Sequence, residues 1–191
     1  MKICSVDLEM CGLDEETCDI LEFGAVLDDL RDPAPIECLP TFQCYFVLPH
    51  YRGTPYALSM HSEAFKRIES REAGYNYVTP SHFGILFKRF LLEYGYETKR
   101  DKITINVAGK NFAMADYPFL KNQTDFCKHI KVRNRVIDPA HYYLSKIDET
   151  LPNMEECKGR AGLGSHVAHN AVDDALDVVK LLRFKLKGKF S

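Results

Sequence analysis

Two carboxylates, Asp7 and Glu9, stand at the end of an apolar stretch that begins at Lys2. Side chains alternate between the two faces of a strand, so Asp7 and Glu9 share one face if residues 2–9 form a strand. Adjacent buried carboxylates repel each other and are costly to desolvate. A hard divalent cation such as Mg²⁺ or Mn²⁺ offsets that cost and takes oxygen ligands. The opening segment therefore predicts a metal site.

A second acidic candidate, Asp116, lies two residues before Pro118. Proline is tolerated in a helix only in its first turn, so Asp116 is expected at a helix start, just past a core strand. There it can serve as a metal ligand or as a plain helix N-cap. The spacing does not decide between these two interpretations.

A third candidate, Asp174, lies in the last helix, which is expected from about Asn170 to Phe184. Its side chain falls within the apolar stripe of that helix, which comprises Ala171, Ala175, Val178, Leu181 and Leu182. Asp173, Asp177 and Lys180 fall on the polar face. A carboxylate on a buried face needs a partner, and a metal ion is a natural one.

His169 lies five residues before Asp174, which is not same-face spacing within one helix. It must lie on the approaching loop if it is to meet a metal beside Asp174. An exposed loop histidine or a cap is the alternative. A histidine with a pKa near neutrality can take the proton of an attacking water. With four carboxylates and two metal ions roughly 4 Å apart, it would suit hydrolysis of a phosphodiester.

These motifs resemble those of DEDDh-type 3′→5′ exonucleases, which have a ribonuclease H-like fold. Asp7-x-Glu9 is similar to the first motif, residues 111–116 to the second and residues 169–175 to the third, in the right order. The resemblance implies that Asp7, Glu9, Asp116 and Asp174 bind two Mg²⁺ or Mn²⁺ ions. It also implies that His169 is the general base, and that the partner is the 3′ end of a single-stranded nucleic acid.

Residues 7–14 are similar to the opening of oligoribonucleases, which usually carry Thr where Cys11 stands. The resemblance implies that the substrate is contacted by Met10, Cys11, Gly12, Leu13 and Asn111. Leu13 matches a leucine that wedges against the bases, and its alternative is an ordinary turn leucine. The prolines of residues 31–40 and the stretch 144–165 depart from the oligoribonuclease pattern. Degradation of very short RNA is therefore the alternative function, and an inactive nucleic-acid-binding module is a third.

His61 also resembles a histidine that follows a strand in such enzymes, but a plain loop histidine is the preferred interpretation. Basic residues cluster at 128–135 and at Lys180, Arg183, Lys185, Lys187 and Lys189. Such runs are usually solvated surface, although one or two of these side chains can contact substrate phosphates.

The composition fits one soluble domain that spans residues 1–191. The apolar fraction is 46%, the charged fraction is 27%, and no apolar run approaches the length of a membrane span. Seven cysteines without paired spacing favour reduced thiols and a cytoplasmic location, and the N-terminus does not resemble a secretory signal. The net charge of −2 argues against long, salt-driven duplex binding. A homodimer is compatible with these numbers.

The periodicities predict an α/β domain of the ribonuclease H-like type, with helices on both faces of a mixed sheet. Three strands, 2–9, 19–30 and 42–48, are expected to form an antiparallel meander, and later strands are expected to be parallel. Helices are expected at 62–70, 81–94 and 117–121. Further strands are expected at 102–108 and 131–138, with residues 144–165 rich in loops.

Overall fold

The structure is a computed structural model, and it describes residues 1–164 and 170–187. The strands are β1 (Lys2–Met10), β2 (Ile20–Asp29), β3 (Thr41–Phe46), β4 (Asn76–Val78), β5 (Thr98–Lys99), β6 (Lys102–Ile105), β7 (Val107–Ala108) and β8 (Ile130–Val132). The helices are α1 (Pro55–Met60), α2 (Ser62–Ser70), α3 (Pro80–Glu93), α4 (Asp116–Asn122), α5 (Thr124–His129), α6 (Met154–Ala161) and α7 (Ala171–Leu186). Short 3-10 turns cover Ile36–Cys38 and Pro139–Tyr142.

The described strands form two sheets. The larger has the order β4-β3-β2-β1-β7, and the smaller has the order β5-β6-β8. β1, β2 and β3 are antiparallel neighbours, whereas β7 runs parallel to β1 and β8 runs parallel to β6. The predicted antiparallel meander is therefore confirmed. Of the later strands, β4, β7 and β8 are parallel to a neighbour as predicted, whereas β5 is antiparallel to β6.

Helices pack on both faces of the larger sheet. The even residues of β1 (Cys4, Val6 and Leu8) join one core cluster with Phe83, Phe87 and Leu91 of α3. Ile3, on the opposite face of β1, packs with Val178 and Leu182 of α7. Because Asp7 and Glu9 share the face of Ile3, both carboxylates project toward the side that carries α7.

α7 approaches β2 so closely that only glycine fits at one position. A Cβ on Gly24 would lie 2.2 Å from the carbonyl carbon of Ala171 and 2.4 Å from the backbone nitrogen of Val172. The missing side chain of Gly24 thus sets the distance between the sheet and the first turn of α7.

The helix predicted at 62–70 is confirmed, and those predicted at 81–94 and 117–121 are found with small shifts of their ends. The single strand predicted at 102–108 is wrong. It breaks at Asn106, because β6 pairs with β5 and β8 while β7 pairs with β1. The strand predicted at 131–138 is reduced to β8 and an isolated bridge between Ala108 and Ile137.

Residues 144–165, expected to be loop-rich, contain α6. This helix begins with a capping box, in which the Asn153 side chain accepts from the Glu156 N–H and the Glu156 side chain accepts from the Asn153 N–H. The structure also contains α1, β4 and α5, which the periodicities did not predict. No helix of the described ranges is long and apolar enough to span a bilayer.

Asp177 was predicted to lie on the solvent-facing side of α7, and this prediction is wrong. Its carboxylate is buried, and it accepts hydrogen bonds from the ammonium groups of Lys158 on α6 and Lys180 on α7. Lys158 is itself buried. Since a buried charge needs a close counter-charge, this ion pair ties α6 to α7.

The fit at Gly24 predicts a large effect of one added methyl group. Gly24→Ala should lower the free energy of unfolding by about 1–3 kcal/mol or more, because α7 must move away from β2. Gly159→Ala is the matched control. A Cβ there meets nothing within 4 Å, and alanine is favoured over glycine in a helix by about 0.5–1 kcal/mol. Urea unfolding of both variants measures the difference, and equal stabilities would contradict the close packing.

Candidate metal centre

Three carboxylates converge where β1 meets the first turn of α7. One ligand atom from each of Asp7, Glu9 and Asp174 lies within 4.8 Å of the others. Burial, followed by repulsion from Asp116 and Glu9, raises the pKa of Asp7 well above its ordinary value. These groups are oxygen donors that repel one another, which is the arrangement a divalent cation relieves.

Asp116 is the first residue of α4 and is buried. Its Oδ1 accepts a hydrogen bond of 3.0 Å from the backbone N–H of Leu8, which lies between Asp7 and Glu9 on β1. Ala115 occupies the N-cap position, and no side chain caps this helix. Asp116 therefore fixes α4 to β1, and the alternative interpretation as a plain N-cap is wrong. Burial raises the pKa of Asp116 to about 7, although the Leu8 hydrogen bond opposes the shift.

Glu22 is a buried carboxylate beside the site that sequence reasoning missed. It is the cross-strand register partner of Glu9, and like charges at directly opposite positions destabilise a sheet. Burial and repulsion from Glu22 raise the pKa of Glu9 to about 8. The Glu22 carboxylate accepts hydrogen bonds from the Gln43 side chain, at 2.7 Å, and from the backbone N–H of Ala171. A glutamate within the otherwise apolar run of residues 20–27 was the available sequence signal.

His61 is not the plain loop histidine that the sequence suggested. It lies at the junction of α1 and α2, with a side chain that is 11% exposed. Its Nε2 is 3.8 Å from Oε2 of Glu9. An imidazolium at this place would offset part of the negative charge of the site, and nothing in the spacing of the sequence indicated this proximity.

The start of α7 is fixed by three sets of contacts. The Asn170 side chain accepts hydrogen bonds from the N–H groups of Val172 and Asp173, which makes it an N-cap. Glu22 holds the N–H of Ala171, and Gly24 sets the distance to β2. As a result Asp174 is 8% exposed and turns toward β1, whereas Asp173 is exposed to solvent. The predicted difference between these two aspartates is confirmed.

The five residues expected to contact a substrate differ in exposure. Leu13 is 91% exposed and lies in the bend that follows β1. Asn111 is exposed and has a φ of 56°, a conformation that asparagine tolerates better than most residues. Met10 is half-buried, while Cys11 and Gly12 are buried. Of these five residues, Leu13 and Asn111 are the exposed ones. His169, the expected general base, lies outside the described residues.

A scan of protein-family models finds no match to this chain, and no curated protein matches its sequence. Solved structures do match. Exonuclease I from Methylocaldum szegediense, a moderately thermophilic enzyme, has a TM-score of 0.62 and 14% identity over 99% of this chain. E. coli exonuclease I in complex with a dT13 oligonucleotide has a TM-score of 0.64 and 15% identity, also over 99% of this chain. This chain shares the fold of the matched part of exonuclease I. It covers 42% of the length of each of these two proteins.

If the converging carboxylates hold a cation, Asp174 should matter to its binding and Asp173 should not. Asp174→Asn is expected to weaken Mn²⁺ binding by more than about tenfold, since even the loss of an outer partner of a ligand costs that much. Asp173→Asn removes the same charge from the solvent-facing side of the helix and should change the affinity less than about twofold. Calorimetric titration measures both values. Equal losses would show that only the local net charge matters.

The raised pKa values of the carboxylates predict a pH-dependent stability without metal. Ordinary carboxyl pKa values lie near ~4, and the pKa of Glu9 is about 8. Between these values the folded chain binds more protons than the unfolded chain, so the free energy of unfolding falls as the pH rises. Melting curves of metal-free protein should show a shallower fall for Glu9→Gln than for the wild type. Saturating Mg²⁺ should raise the wild-type melting temperature more at about pH 8 than at about pH 5, and parallel curves for the two proteins would contradict this origin.

Proposed function

We propose that this protein is a 3′→5′ exonuclease that hydrolyses phosphodiester bonds at the 3′ end of single-stranded DNA or RNA. The observation that carries the proposal is the convergence of ligand atoms from Asp7, Glu9 and Asp174 within 4.8 Å. The order of the DEDDh motifs and the shared fold with exonuclease I support it. The site residues are Asp7, Glu9, Asp116, Asp174 and His169.

The carboxylates fit two Mg²⁺ or Mn²⁺ ions in number, charge and donor type. When bound, such ions acidify a water and stabilise the leaving oxygen of a phosphodiester. Asp7, Glu9 and Asp174 would hold these ions. Asp116 keeps its carboxylate against β1 through the hydrogen bond that it accepts from the N–H of Leu8. His169 accepts the proton of the attacking water as general base. Leu13 packs against the terminal bases from its exposed position after β1.

Substrate length separates this proposal from its rival, an oligoribonuclease-like enzyme for very short RNA. Purified protein incubated with end-labelled DNA and RNA oligonucleotides of several lengths, with and without Mn²⁺, tests both. Stepwise shortening of long strands from the 3′ end supports the general exonuclease, whereas cleavage confined to RNA of a few nucleotides supports the rival. Binding without hydrolysis in the presence of Mn²⁺ would leave the inactive binding module.

The carboxylates should be essential to hydrolysis and dispensable for folding. Asp7→Asn, Asp116→Asn and Asp174→Asn are each expected to abolish cleavage. Each should keep or raise the melting temperature of the metal-free protein, because the carboxylates repel one another. Cleavage assays and melting curves on the same preparations check both halves. A wild-type rate in any one variant would remove that residue from the site.

His169 should matter to the chemical step and not to binding. His169→Ala is expected to lower kcat by roughly two to four orders of magnitude, the usual contribution of a general base, while substrate affinity is kept. The rate of the wild type should rise with pH through the pKa of this histidine, and the rise should be absent from the variant. Ionisation of the attacking water can give a similar rise, so the comparison of the two profiles is decisive. A variant with the same profile and near-normal kcat would exclude His169 as the base.

A further inference from the structure

A basic pocket of about 580 Å³ lies along the smaller sheet and the helices α4 and α5. Tyr117 and Cys127 line part of its wall. Four cationic side chains also line it, those of Lys99, Arg100, Lys102 and Lys131. In residues 1–164 and 170–187, no carboxylate forms an ion pair with any of these four cations. The pocket thus concentrates positive charge that the described part of the chain does not neutralise.

The register of the strands makes this concentration costly. Lys99 is the direct cross-strand partner of Lys102, and Lys131 is the partner of Thr104 on the same strand as Lys102. Like charges at directly opposite positions destabilise an antiparallel pair. A polyanion bound in the pocket would offset the repulsion between these lysines.

The backbone beside the pocket adds to the cost. Arg100 and Asp101, the turn between β5 and β6, have φ values of 48° and 64°. A two-residue turn with two positive φ angles favours Asn-Gly, so an arginine here is strained. Lys88 donates a 2.7 Å hydrogen bond to the carbonyl of Asp101, which brings a further cation to this turn. The strained turn therefore adds Arg100 to the lining of an already basic pocket.

We propose that the basic pocket binds nucleotide phosphates, as a second site separate from the carboxylates. This inference rests on the proposed function, because the ligand is identified as nucleic acid through it. Tyr117, which lines the pocket, directly follows Asp116 in α4, so one helix connects the two sites. The phosphates come either from the substrate strand upstream of its 3′ end or from the released mononucleotide, and both present the same anionic groups to the lysines.

A paired substitution tests the pocket. Lys99→Gln with Lys131→Gln removes two exposed cations and leaves Lys102, whose Nζ donates a hydrogen bond to the Cys127 carbonyl. The control is Arg31→Gln with Lys146→Gln, which removes two exposed cations after β2 and before α6. Binding of a labelled 20-nucleotide single strand is measured by anisotropy in EDTA, over a range of salt concentrations.

The affinity falls as the salt concentration rises, so the plot of log affinity against log salt has a negative slope. The pocket variant should make this slope shallower by about 1.4, since each lost phosphate contact on a single strand contributes ~0.7. The control should keep the wild-type slope. Cleavage of a dinucleotide in Mn²⁺ should be unchanged in both variants, because neither variant removes a carboxylate of the metal centre. A control that falls as far as the pocket variant, or a pocket variant with the wild-type slope, overturns the proposal.

Cys127 gives a second measurement that needs no substitution. Its thiol is half-buried in the pocket wall, whereas Cys38 is exposed in the 3-10 turn Ile36–Cys38. The 20-nucleotide strand should slow alkylation of Cys127 and leave that of Cys38 unchanged, as followed by mass spectrometry. Protection by the strand and not by a mononucleotide identifies the upstream phosphates, and protection by both identifies a site that also takes the product. Alkylation of Cys127 that neither ligand slows overturns the proposal.

Because binding is measured in EDTA, it does not depend on hydrolysis. A protein that binds strands through the pocket and never cleaves them would refute the exonuclease activity and keep the second site. A protein that cleaves strands but shows neither the slope change nor the protection would keep the activity and refute the second site.

Discussion

Repulsion between the carboxylates crowded at the end of β1 constrains much of the surrounding structure. Asp7 and Glu9 share one face of the strand, Asp174 faces them from α7, and Glu22 stands directly opposite Glu9. Each neighbour raises the free energy of the charged state of the others. The fold tolerates this concentration of charge because Glu22 and Asp116 are engaged by backbone N–H groups, those of Ala171 and Leu8.

The packing of α7 follows from the same requirement. A carboxylate can reach the site from this helix only if its first turn lies almost against the sheet. Gly24 permits that approach, Glu22 accepts the first N–H group, and Asn170 caps the helix. The buried pair of Lys158 and Asp177 then ties α6 to the middle of α7. Residues that sequence analysis would assign to stability thus determine where Asp174 lies.

The sequence predicted those features that depend on periodicity along one element. Alternation placed Asp7 and Glu9 on one face, and the apolar stripe separated Asp174 from Asp173. Features that depend on contacts between distant segments were missed. To predict that His61 lies near Glu9, one must know where the junction of α1 and α2 packs against β1. To predict that Glu22 lies opposite Glu9, one must know the register of β1 and β2. The break at Asn106 arises because β6 and β7 pair with different strands, which a continuous apolar pattern does not reveal.

The outer strands of both sheets are short: β4 and β8 have three residues each, and β5 and β7 have two. An edge strand offers unpaired backbone groups on which a second chain can add a strand, and a short edge offers few of them. In the described part of the chain, the four outer strands therefore present few backbone groups as a template on which a second copy could add a strand.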